Sequence, residues 1–218
     1  MRLIDLSQPL YDGAPNCPAH PPVKSEIIAD HPKTGWRVEL LTLASHTGSH
    51  VDAPYHKLAD GANLDQIPLE RWTGRAVLAD LRDSKPDRPL DGALLAERLR
   101  GLTLADRWVL LATGWGRKRA KTDEWLNHPP YVSPDGARWL VAQRIRGVGI
   151  DHFSIAGSRD DINPVTHTIL LSAGIGIVEE LSFPDEVFAL SQPFEFMSLP
   201  INLRAHTGAF CRPVAIVR

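Results

Sequence analysis

The stretch His46-Thr47-Gly48-Ser49-His50-Val51-Asp52-Ala53-Pro54-Tyr55-His56 limits the folds open to this chain more than any other. Gly48 and Pro54 interrupt it, so no continuous helix runs through it. The residues before it, Trp36–Ala44 (WRVELLTLA), mostly alternate or are apolar and read as a buried strand. The block therefore opens where a strand stops, and a loop leaving a rigid strand is where scaffolds place chemistry.

His46 and His50 offer neutral imidazole nitrogens, and Asp52 offers a hard anionic oxygen. That mixture suits a divalent first-row metal such as zinc or manganese. Gly48 lets the backbone turn so that both imidazoles can point inward. Asp52 has two oxygens and could bridge two ions. His56 lies beyond Pro54; it need not be a ligand and could exchange protons with a substrate. A His-x-x-x-His pair alone arises often by chance, whereas HxxxHxD with a further His close behind, after a strand, is much rarer.

HTGSHVDAPYH resembles the HxGTHxDxPxH signature of the metal-dependent cyclase family, which includes bacterial kynurenine formamidases (arylformamidases) and isatin hydrolases. Ser49 stands where the family usually has threonine, which keeps the hydroxyl. The resemblance runs nearly end to end, from RLIDLSQPL to CRPVAIV. It implies the swivelling β/β/α-type architecture, a homodimer or larger homo-oligomer, and a second ligand pair in the setting HxxLL…GI…E. His167 and Glu179 match that pair. Glu180 replaces a frequent asparagine and leaves two adjacent acids, of which the spacing favours Glu179. Without the resemblance, His167 reads as a helix-surface residue. The family's aromatic-Pro-Gly-Asp motif near the substrate has no counterpart here, where the region reads NCPAHPPV.

Composition bounds the rest. The 218 residues can enclose one sizeable core, so a single domain over residues 1–218 is expected. A net charge of −2 without a basic run gives nucleic acid or an anionic membrane no obvious purchase. Cys17 and Cys211 form no CxxC pair, which points away from a cysteine zinc site or a disulfide framework. MRLIDLSQPL lacks a long apolar signal region, and no run of about 18 apolar residues occurs. A reducing cytoplasm is the expectation.

Along the chain, Arg2–Leu6 reads as a strand, followed by a turn-rich stretch from Tyr11 to Pro22. His20 reads there as an exposed loop residue. Val23–Ile28 and Trp36–Ala44 form a hairpin around residues 31–35. Ala76–Leu81 and Trp108–Ala112 read as strands, and Asp91–Arg100 as a helix stopped at Gly101. Residues 117–133 read as a surface excursion, in which Trp125 and Tyr131, with Trp115 just before it, could cover an aromatic substrate or pack in the core. Pro134–Arg146 reads as a helix capped by Ser133 and ended by Gly147, and Gly147–Asp151 as a strand. Asp151 could support the site or pack structurally, and His152 could touch substrate. A helix capped by Asn163 runs to Ser172 and ends at Gly174, ahead of a strand over Ile175–Val178 that ends at Glu179. Phe194–Leu203 and Pro213–Val217 read as strands.

Strands outnumber helices and do not alternate strictly with them, which indicates a mixed α/β or α+β domain. The function this supports is hydrolysis of a non-peptide C–N amide bond in a small molecule, arylformamidase-like, with one or two Zn²⁺ or Mn²⁺ ions. His46, His50, Asp52, His167 and Glu179 are the expected ligands and His56 the proton shuttle. Isatin-type cyclic amide hydrolysis is the alternative. A metal-containing binding protein without turnover is a different class, but it has no use for a proton shuttle at His56.

Overall fold

The computed structural model describes residues 1–218. Its strands are β1 (Arg2–Asp5), β2 (Lys24–Ala29), β3 (Val38–Thr42), β4 (His50–Asp52), β5 (Thr73–Asp80), β6 (Pro89–Leu90), β7 (Trp108–Ala112), β8 (Tyr131–Val132), β9 (Gly147–Ile150), β10 (Gly176–Glu179), β11 (Phe194–Met197), β12 (Gly208–Phe210) and β13 (Val214–Val217). The helices are α1 (His31–Thr34), α2 (Gly92–Arg98), α3 (Asp123–Asn127), α4 (Pro134–Ala142) and α5 (Asn163–Ser172).

Nine strands make one sheet in the order β1-β13-β11-β5-β7-β9-β10-β4-β12. Its centre, β5-β7-β9-β10, is parallel, and the flanking pairs are antiparallel. The architecture is the strand-rich mixed α/β type expected from the sequence.

Alternation along the central strands explains why both faces are covered. On β5, Val77 and Ala79 face one core while Ala76 and Leu78 face the other. On β7, Val109 and Leu111 oppose Trp108 and Leu110 in the same way. Successive side chains on a strand leave opposite faces, so a run apolar throughout is buried twice. Leu95 of α2, Leu140 of α4 and Leu170 of α5 close the first core; each fully buried leucine contributes about 2 kcal/mol. Trp72, Trp108 and Phe196 fill the second.

Several expectations are corrected. Trp36–Ala44 does supply a strand, but β3 is exposed along its whole length and pairs only with β2. The resulting ribbon displays Ile27, Ile28, Leu40 and Leu41, and Trp36 is 75% exposed. Helix α4 stops at Ala142, because Arg144 turns the chain through a left-handed backbone (φ 56). Gly147 is therefore the first residue of β9 and not a helix stop. Asn163 is the first residue of α5 and not its cap; its side chain bonds Ser154 Oγ and the Gly157 carbonyl instead. The strand from Phe194 ends at Met197. Residues 117–133 are not a plain surface excursion, since Trp125 and Val132 are buried in them.

Candidate metal centre and its cavity

The short strand β4 does most of the positioning. His50 and Asp52 are two residues apart and leave the same face, while Val51 enters the core on the other. Gly48, at φ +64, makes the turn that feeds β4. On one side β4 pairs with β10, and the register sets Glu179 directly opposite His50. Directly opposed residues hold their Cβ atoms about 5 Å apart on one face. Helix α5 is the crossover between the parallel strands β9 and β10. Such a helix runs back along the sheet, so its first turns lie near the strands' C-terminal ends. That brings His167 to Glu179, twelve positions further along the chain.

The donor atoms converge. His50 Nε2 lies 3.3 Å from Glu179 Oε2 and 3.5 Å from Asp52 Oδ1. His167 Nε2 lies 3.2 Å from Glu179 Oε1 and 3.6 Å from Asp52 Oδ2. The other nitrogen of each ring donates to a carbonyl, His50 Nδ1 to Gly48 (2.7 Å) and His167 Nδ1 to Asn163 (3.0 Å). Those bonds fix both rings with Nε2 toward the carboxylates, the outer support usual for metal-binding histidines. Asp52 is 1% exposed, and its Oδ2 has no hydrogen-bond partner. A buried carboxylate oxygen without a partner is costly, and a cation at this point removes the cost. Two histidines and two carboxylates converging here fit a divalent first-row ion.

His46 is on the other side of Asp52, with Nδ1 2.8 Å from Asp52 Oδ1 and Nε2 2.9 Å from Thr207 Oγ1. Gly208 on β12 leaves room for this ring, since a Cβ there would come within 2.4 Å of His46 Cε1. His56 stacks on His46 with ring centroids 3.9 Å apart. His46, Asp52 and His56 form one donor group and His50, Asp52 and Glu179 another, with Asp52 common to both.

The charges respond to this crowding. Burial pulls the His50 imidazole down, but the hydrogen bond it donates to Glu179 and the charge of Asp52 outweigh it and hold it at about 9. The same contest holds His167 at about 10, through the Asp52 and Glu179 carboxylates that face its Nε2. Burial favours the neutral form of Asp52, yet the imidazole of His167 beside it and its hydrogen bond with His46 hold it well below the usual carboxylate range. Burial lowers His56, assisted by His46 and His167 and opposed by Asp52.

A cavity of about 320 Å³ opens over the cluster, lined by His46, His50, His56, His167 and Glu179. Cys17–His20 from the N-terminal stretch and several residues between Phe153 and Asn163 complete it. His20 is therefore half-buried in the cavity and not an exposed loop histidine.

The structure decides between the alternatives that the sequence leaves open for other residues. Trp115, Trp125 and Tyr131 are buried and do not line the cavity; all three pack in the interior. His152 is fully buried behind Phe153, accepted by the Trp125 carbonyl and held near 4 by burial, so it stays neutral and touches no ligand space. Asp151 accepts from Thr113 N, Thr113 Oγ1 and Gly116 N, which makes it the anchor of the loop after β7. Glu180 turns away from the cluster through a left-handed backbone (φ 56) and pairs with Arg119 at 2.5 Å. Thr207, which holds His46, is not identifiable from the sequence; its only signal is a His-Thr-Gly turn repeating the start of the 46–56 block.

The profile of a family described as "Putative cyclase" matches residues 4–156. The chain belongs to the cyclase family. This cyclase-family chain is 28% identical over 212 residues to a kynurenine formamidase of Bacillus cereus, covering 97% of the chain and 95% of the relative. It superposes on isatin hydrolase A from Labrenzia aggregata bound to benzyl benzoate with a TM-score of 0.84 and 26% identity, over 99% of this chain and 93% of that one. Isatin hydrolase A from Ralstonia solanacearum shares the fold at a TM-score of 0.85 and 23% identity, over 100% and 92%. No helix is long and apolar enough to cross a membrane.

Proposed function

We propose that this chain is a metal-dependent hydrolase of a non-peptide C–N amide bond in a small molecule, of the arylformamidase or isatin hydrolase kind. The observation that carries the reading is the convergence of His50 Nε2, His167 Nε2 and both carboxylates of Asp52 and Glu179 at a cavity edged by His56. His46, His50, Asp52, His167 and Glu179 would hold the metal, zinc or manganese, as one ion or two. When bound, the metal supplies a Lewis acid for the carbonyl and lowers the pKa of a water to about 7.

The chain's own residues do the rest. The carbonyl bonds at Gly48 and Asn163 keep the His50 and His167 rings oriented. Thr207 holds the ring of His46, on which His56 stacks. His56 delivers a proton to the departing nitrogen as the C–N bond breaks, and its place at the cavity edge suits that role.

The exposed apolar ribbon β2–β3 supports a homodimer, because a patch of this kind marks a binding surface in a soluble protein. A cytoplasmic location accords with the two free cysteines. The test is metal analysis of the purified protein together with a screen of formamides, isatin and cyclic amides. Bound zinc or manganese with hydrolysis of one of these classes is the expected result. A metal-loaded protein that turns over none of them removes the hydrolase reading.

A further inference from the structure

The segment between β9 and α5 carries a buried hydroxyl whose hydrogen meets no acceptor in the protein. Ser154 lines the cavity and is 5% exposed. Its Oγ accepts from Asn163 Nδ2 at 3.1 Å and from the Ala156 amide at 3.4 Å. A serine oxygen has two lone pairs and one hydrogen, so these two bonds fill its acceptor capacity. Neither partner can accept in return. The Ala156 N–H only donates. Asn163 Nδ2 also donates to the Gly157 carbonyl at 3.0 Å, and a carbonyl only accepts, which fixes the nitrogen end of the amide on this side. The Ser154 O–H is therefore left over as a donor. A polar group buried to this degree needs a partner, and the open side of Ser154 is the cavity.

The same surroundings tie Ser154 to the metal centre. The next amide, Ile155 N, donates to Glu179 Oε1 at 2.6 Å. Asn163, whose side chain holds Ser154, also provides the carbonyl that orients His167. The hydroxyl is thus fixed relative to two of the donor groups. Its polar neighbours on this wall are placed differently. Asn163 has used both amide hydrogens, and Ser158 Oγ donates to the Leu126 carbonyl. Asn127 keeps one amide N–H but is exposed, as is Lys57 at the adjoining opening.

We propose that Ser154 is a catalytic residue that donates its hydroxyl hydrogen to the carbonyl oxygen of the amide being cleaved. The assignment rests on the amide-hydrolase reading above. The oxygen of water bonds to the acyl carbon as the carbonyl electron pair moves onto oxygen. That pair then returns, the C–N bond breaks, and the nitrogen leaves with a proton that came from the water. Between these events negative charge sits on the carbonyl oxygen. A donor oriented beforehand needs no rearrangement when that charge appears. The two bonds that Ser154 accepts supply the orientation.

The experiment measures kcat/KM for formanilide and thioformanilide on the metal-loaded parent, Ser154→Ala and Asn163→Asp. Sulfur accepts hydrogen bonds weakly, so the thioamide draws little from a hydroxyl, whereas damage to packing or metal loading falls on both substrates. Ser154→Ala should lose about a hundred- to a thousandfold on formanilide and less than about tenfold on thioformanilide. Asn163→Asp puts an acceptor where the amide donated. It captures the Ser154 hydroxyl and should lose the same preference with Ser154 in place, which decides the matter even if Ser154→Ala fails to fold. Equal losses on the two substrates, parent-like formanilide turnover in Ser154→Ala, or a preference kept in Asn163→Asp overturns the proposal. A binding arm keeps the two readings apart: benzamide and thiobenzamide are titrated calorimetrically into parent and Ser154→Ala. The variant should bind benzamide about fivefold more weakly, as for one neutral hydrogen bond, and thiobenzamide as the parent does. That pattern without turnover of any amide removes the hydrolase reading and leaves the donor assignment standing. Hydrolysis with both substrates hurt alike does the reverse.

Discussion

Replacing Arg119 by methionine tests the most heavily buried arginine–carboxylate pair in the molecule. Arg119 and Glu180 side chains are 6% and 1% exposed. Arg119 Nε donates to Glu180 Oε1, and its terminal nitrogens donate to the Pro9 and Pro15 carbonyls. It thereby ties the strand end beside Glu179 to the stretch leading into Cys17–His20. Glu180 Oε2 already lacks a partner, and burial pushes the carboxyl up, with Arg119 pulling against it. Breaking one side of a buried pair costs about 3–5 kcal/mol. The glutamate can escape by protonating, at about 1.4 kcal/mol for each pH unit above an unfolded value of about 4.3, or about 4 kcal/mol at pH 7. The folded carboxyl of the variant is raised above its unfolded value, so the penalty is absent below about pH 4.3 and grows as pH rises. At pH 5 it shrinks to about 1 kcal/mol by the same arithmetic. Urea unfolding of parent and Arg119→Met at pH 7 and pH 5 reads both values. The double variant Arg119→Met/Glu180→Gln has no charge to strand and should recover about half of the pH 7 loss, since only the desolvated amide remains. A single variant less than about 1 kcal/mol below parent at pH 7, or one whose deficit does not change with pH, refutes a buried, charged Glu180 held by Arg119.

Five other outcomes follow from the site. His50→Ala should lose bound metal while its far-ultraviolet circular dichroism stays native, checked by elemental analysis. Glu179→Gln should lose metal where Glu180→Gln keeps it, which tests the register between the two acids. His56→Ala should retain metal yet lose about a hundred- to ten-thousandfold in turnover, least with good leaving groups; near-parental rates on every amide would withdraw its role. Metal affinity should climb with pH from 6.5 toward 9, because imidazoles held at about 9 and about 10 must shed protons to bind. In the metal-free protein those same raised histidines stabilise the fold fully below about pH 6.5, and that contribution fades as pH rises through 9 to 10, which thermal melts would register.

The parts of this architecture legible in the sequence are those set locally. His50 and Asp52 share a face because alternation along a strand is a property of neighbours, so HxxxHxD is informative by itself. His167 and Glu179 have no such local sign. Their meeting depends on a crossover helix and on the β4–β10 register, which only the family resemblance conveys. Apolar residues on both faces of β3 indicate a need for cover but not what provides it; the same pattern serves a central strand and a ribbon that awaits a partner. His20 sits in a stretch of prolines and glycines without any period, so nothing in its surroundings shows which way its ring points.

The pairing of β4 with β10 joins residues 50–52 to residues 177–179. Most of the chain must be looped out before those two strands can meet, and contacts so distant in sequence form late and slowly. The donor set does not exist until that closure is made. An ion therefore cannot seed the fold; it can only latch it, by lowering the rate at which β4 and β10 part again. Metal should leave the refolding rate nearly unchanged and slow unfolding, so that loading protects finished molecules without rescuing stalled ones.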